Sequence, residues 1–101
     1  MNLIDTKSQL TEKKKHVGKV ADVENAVLMN IQLRAGEEVA EHDANKEVFI
    51  IVRKGKVRFF VEGEPVDVTP DNILHMVPLE RHSLHAIEDS DILVIQVKPS
   101  T

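Results

Sequence analysis

Val48-Phe49-Ile50-Ile51-Val52, then Lys54-Gly55-Lys56, then Val57-Arg58-Phe59-Phe60-Val61, then Glu62-Gly63-Glu64-Pro65: the reading of this stretch decides the fold. Two short runs rich in β-branched and aromatic residues are each closed by glycine and charged residues. That is the pattern of successive strands joined by tight turns. The first run has apolar side chains on both faces, so it needs cover on both sides.

The same pattern extends outward. Downstream, Val66 and Val68 alternate, and Thr69-Pro70-Asp71-Asn72 has Pro and Asp where a type I turn wants them. Residues 73–77, 82–87 and 92–97 read as three further strands, the first closed by Pro78 and the last by Pro99. Upstream, Val27, Met29, Ile31 and Leu33 alternate with Leu28, Asn30, Gln32 and Arg34, and Ala35-Gly36 ends the run. Residues 1–15 are polar apart from Leu3, Ile4 and Leu10. Asp5 or Thr6 is expected to cap a single helical turn there. Roughly eight short strands with a turn signal every 8 to 12 residues predict an all-β antiparallel sandwich or barrel. The expected division is an N-terminal segment, 1–15, packed on the barrel or on a partner subunit, and a barrel domain, 16–101.

The chain has 101 residues, enough for one domain. Its net charge of −4 gives no basic surface for nucleic acid, and Lys13-Lys14-Lys15 reads as a solvated stretch. There is no cysteine, so disulfides, thiol nucleophiles and Cys-based zinc sites are excluded. No apolar run approaches the roughly 18 residues of a membrane helix, and residues 1–15 have no signal-peptide core. A cytoplasmic protein with no nucleic-acid or membrane partner is expected.

The order Gly36, five residues, His42, a strand ending at Gly55, a Pro-containing turn and His82 resembles a small single-domain cupin. The resemblance implies an antiparallel double-stranded β-helix, or jelly-roll barrel, and covers about half the chain. It also implies a metal site of two histidines and a glutamate from a first motif and one histidine from a second. Position by position, His42 matches the first histidine and His82 the last. Ala44 stands at the second-histidine position, and Val48 at the glutamate position with Glu47 one residue away. Leu79 stands where the second motif has glycine, and Ala86 where it has asparagine.

The offset of Glu47 has a physical consequence. Successive strand side chains point to opposite faces, so if Val48 points in, Glu47 points out unless a bulge turns it back. His42 and His82 are therefore the primary candidates to hold a divalent metal (Zn, Fe, Mn or Ni) or a ligand, with His75 and Glu47 weaker ones. His85 is expected outside and His16 exposed. Met29, Ile31, Ile50, Val52, Phe59, Met76 and Leu84 are expected to line the interior. Met and Phe at a barrel mouth suit an apolar ligand.

Three functional classes follow. The preferred one is a binding module whose barrel holds a small molecule, with or without a metal. The second is a metal-dependent enzyme, dioxygenase- or isomerase-like, using His42 and His82 as ligands. The third is a structural dimer with a vestigial pocket. A homodimer is expected in any case. The doubly apolar runs 48–52 and 92–95 would otherwise expose a large patch, and Phe60 is expected to add to the same interface.

Overall fold

Alternation within each strand sorts the side chains onto two sheets facing one another, in a computed structural model that describes residues 1–99. The strands are β1 (Lys15–Val23), β2 (Ala26–Leu33), β3 (Glu38–His42), β4 (Glu47–Lys54), β5 (Val57–Val61), β6 (Glu64–Val68), β7 (Ile73–Met76), β8 (His82–Ala86) and β9 (Ser90–Val97). All pairings are antiparallel. One sheet has the order β1-β2-β9-β4-β7 and the other β3-β8-β5-β6. This is the jelly-roll barrel expected from the sequence. β1 and β3 were not singled out there. β1 carries lysines and a register shift between Lys19 and Ala21, the usual protection of an exposed edge, and β3 offers one large apolar residue, Val39.

The inward faces fuse into one core, with Leu33, Val52, Val57, Phe59, Val68, Met76, Ala86 and Ile92 essentially sealed from solvent. The turns behave as their residues dictate. Glu62 and Gly63 both have positive φ (49° and 83°), the two-residue hairpin turn whose twist matches its flanking strands. Gly55 (φ 90°) is required twice over, because a Cβ there would collide with the Asp89 carbonyl oxygen and the Ser90 side chain. In the Thr69–Asn72 turn, Asn72 N–H donates to Thr69 O (3.2 Å) and Thr69 N–H to Asn72 Oδ1 (2.9 Å).

The expected helical turn after Asp5 or Thr6 is not there. Asp5 Oδ1 accepts from Lys7 N–H, and the helix-like hydrogen bonds come later, from Glu12 N–H (3.1 Å) and Lys13 N–H (2.9 Å) to Gln9 O. The segment is instead held to the outer face of the five-stranded sheet. Gln32, on the outward face of β2, is only 1% exposed. Its amide accepts from Gln9 N–H (2.6 Å) and donates to Lys7 O (2.9 Å) and Asn30 Oδ1 (2.8 Å). Arg53 reaches Thr6 Oγ1 (2.9 Å). Burying two polar amides is tolerated here because each is hydrogen-bonded. The N-terminal segment thus covers the polar part of this face. The apolar part around Phe49, Ile51, Ile73, Leu93 and Ile95 is not sealed: Ile73 is 65% exposed and Phe49 37%. Phe60 lies on the four-stranded sheet, so it cannot join that surface, contrary to expectation.

Candidate functional site

A cavity of about 110 Å³ lies between the two sheets. Its wall comes from Val17, Met29, Ile31, Val48, Ile50, Val94 and Gln96 on the five-stranded sheet, and from Val39, His42, Phe59, His82 and Leu84 on the other. A larger groove, about 260 Å³ between the N-terminal segment and the barrel end, is lined mostly by polar residues and has no imidazole. The barrel cavity is the space where an apolar wall meets paired histidines.

The pairing of His42 with His82 depends on a bulge. Val39 pairs with Leu84 and His42 with His82, three residues of β3 against two of β8. In a regular strand Val39 and His42 would point to opposite faces. The extra residue turns both toward the cavity. The ring centroids are 4.2 Å apart and edge-to-face, at 63°. His42 is exposed at the mouth and His82 is 5% exposed behind it.

Main-chain carbonyls set the chemistry of both rings. His42 Nδ1 lies 2.9 Å from Ala40 O, and His82 Nδ1 lies 3.2 Å from Glu80 O. A carbonyl oxygen only accepts, so each Nδ1 carries a proton, which leaves Nε2 of a neutral ring with a free lone pair. Burial pushes the His82 pKa below its ordinary 6.5, and the nearby His42 pushes the same way. The Glu80 carbonyl and the charges of Asp43 and Glu80 act in the opposite sense but are outweighed. His82 is therefore neutral at pH 7, with Nε2 as an acceptor.

His75 and Glu47 do not join this pair, which corrects the expectation that they were weaker metal candidates. Val48, Ile50 and Val52 point inward, so Glu47 and Phe49 point outward, and no bulge intervenes between Glu47 and Val52. His75 is opposite Phe49 across β7, stacks on its ring at 4.7 Å, and its Nε2 lies 2.7 Å from Glu47 Oε1. The two satisfy each other on the outer surface. His85 alternates outward from β8, and His16 is half-buried on β1 rather than exposed. Of the residues expected to line the interior, Met29, Ile31, Ile50, Phe59 and Leu84 wall the cavity. Val52 and Met76 are sealed in the solid core and do not.

Gln96 is the polar residue of the wall that sequence reasoning missed. It follows Ile92 and Val94 on the inward face of β9, and period-two alternation read with that phase would have found it. Among the described residues, no three His, Asp or Glu side chains come together as a metal-binding group. A catalytic zinc centre normally has three protein ligands, and non-haem iron commonly two histidines and a carboxylate. The pair His42 and His82 falls short of either set.

The family model described as AraC-like ligand binding domain matches residues 31–100. No curated protein matches the chain. Among solved structures, it is similar to an RmlC-like cupin with a double-stranded β-helix fold from Methanocaldococcus jannaschii (22% identity, TM-score 0.83, 97% of this chain and 91% of that one). It is also similar to a conserved protein of unknown function from Streptococcus pyogenes (18%, TM-score 0.80, 100% and 98%). A third is the salicylate 1,2-dioxygenase of Pseudoaminobacter salicylatoxidans (19%, TM-score 0.68, 72% and 20%). At these identities the likeness is one of fold. No helix among the described residues is long and apolar enough to cross a membrane.

Proposed function

The chain belongs to the AraC-like ligand-binding domain family, and on that premise we propose that its barrel cavity binds a small molecule with an apolar body and a hydroxyl or N–H donor. The observation that carries this reading is the placement of His42 and His82 over an apolar wall, each Nδ1 engaged by a main-chain carbonyl and each Nε2 left to meet a ligand. Gln96 adds an amide that can donate or accept. A volume of about 110 Å³, below the roughly 150 Å³ of an engineered cavity that holds benzene, buries only part of a single ring and leaves the rest of the ligand in the mouth beside the exposed His42.

The test uses phenol and benzene, which differ by one hydroxyl. Phenol should bind at least about tenfold more tightly than benzene, about 1.4 kcal/mol for the hydrogen bond. Replacing both His42 and His82 by Leu should abolish that preference while leaving a folded barrel. Equal binding of the two probes, or an undiminished phenol preference in the double variant, would refute the reading.

The same two nitrogens are the donors a divalent ion would find. Among the described residues no third protein ligand is assembled beside them, so the reading rests on ligand binding rather than on metal chemistry. Elemental analysis of untagged protein separates this reading from the enzyme alternative. Stoichiometric zinc, iron, manganese or nickel that disappears with His42 and His82 would favour the enzyme.

A further inference from the structure

We infer that Gln96 is a specificity-determining residue of the cavity, selecting a ring with hydrogen-bonding groups on two separate edges, one for the His42–His82 pair and one for the Gln96 amide, a ligand class that rests on the small-molecule reading above. Gln96 follows Ile92 and Val94 on the inward face of β9 and is half-buried. Its neighbours in the sheet are Val27 on β2 and Val48 on β4, which offer it no polar atom. Beyond Val48 comes Met76, and beyond Val27 comes Asp22, already paired with Lys19 (2.9 Å). Every other wall residue contributed by this sheet is apolar. Among the described residues the Gln96 side chain makes no hydrogen bond, and no sealed side-chain N or O lacks a partner, so its amide is open to the cavity.

The histidines face this amide from the other sheet. His42 ends β3 and Glu47 begins β4, so the connection 43–46 holds His42 and Val48 at one end of the barrel, with Gln96 beside Val48. His42 and His82 use Nδ1 on main-chain carbonyls, and neither ring bonds Gln96. Three polar groups thus border one small space from two sides, each with hydrogen-bonding capacity that the chain itself does not use. An amide both donates and accepts, so it takes a hydroxyl in either sense. A ring with one polar group satisfies the histidines and sets bare carbon against the amide, which then loses water without gaining a partner. Two adjacent hydroxyls share one edge and leave the amide in the same position. Hydroxyls on separate edges satisfy both walls.

Titration calorimetry with benzene, phenol, catechol and resorcinol tests this. Resorcinol carries its hydroxyls on separate edges and should bind the wild-type chain at least about tenfold more tightly than phenol. Catechol, with adjacent hydroxyls, should stay within about threefold of phenol. Gln96→Leu should bring resorcinol down to the phenol level and leave the preference for phenol over benzene intact, because the histidines are untouched. Gln96→Met, which keeps the length and flexibility of the side chain, should do the same, and thermal unfolding verifies that both variants are folded. Resorcinol no tighter than phenol, catechol gaining as much as resorcinol, or a resorcinol advantage that survives both substitutions would each overturn the inference while the preference for phenol over benzene stands. Loss of that preference in the wild-type chain would instead refute the small-molecule reading beneath it.

Discussion

Phe59→Ala tests whether the cavity wall is packed as described. Phe59 is 0% exposed, and its ring faces the cavity together with Leu84 and Ile50. Removing a buried ring forfeits about 1.5–3 kcal/mol of transfer free energy. A second penalty arises because the new void adjoins one that already exists, so neighbouring side chains cannot collapse into it from that side. The total for such substitutions is about 3–5 kcal/mol, and the upper half of that range is expected here. If about 2 kcal/mol is the cavity share, at about 24 cal/mol per Å³ the added void is about 80 Å³, bringing the space to about 190 Å³. That is large enough for benzene. Urea denaturation should therefore show a loss of about 4 kcal/mol, a large part of the 5–15 kcal/mol typical of a domain. Benzene should raise the melting temperature of the variant more than that of the wild type. A loss under about 1 kcal/mol, or no benzene effect on a folded variant, would mean that Phe59 does not wall a persistent cavity.

Three further outcomes are expected. Leu79 has φ 71°, and its N–H donates to Ala44 O (2.9 Å); an L-residue with a Cβ in that region costs about 1–2 kcal/mol, so Leu79→Gly should be neutral or stabilising in urea titrations, whereas glycine elsewhere usually destabilises. Gly55→Ala should cost several kcal/mol because of the collision with Asp89 and Ser90, while Gly63→Ala, where a Cβ meets open space, should cost only about 1 kcal/mol for its positive φ; similar losses at both sites would contradict the close approach at Gly55. The pKa of His82 lies below 6.5 in the folded chain, so as the pH falls through 6.5 the unfolded chain takes up the proton first and stability declines until the folded value is passed; urea midpoints at pH 7.5 and 5.5 should show this decline, and His82→Asn should reduce it.

The all-β class was legible in the sequence because a half-buried strand announces itself by alternation and a tight turn by its glycine. Both signals are local, and β2, β4, β5 and β9 fall where they place them. β1 and β3 were not legible, because edge strands with lysines and few apolar residues lose that signal. The outward position of Glu47 followed from its one-residue offset from Val48. The likeness in spacing singled out His42 and His82. Only the tertiary structure decided that they meet, because the bulge between Val39 and His42 exists only in pairing with β8. It also decided that His75 is committed to Glu47 and Phe49, and that Gln32 is sealed under the N-terminal segment. Each of these depends on contacts between residues distant in sequence. Local pattern reports which face a residue prefers, but the partner waiting on that face is set by how the sheets are ordered and registered.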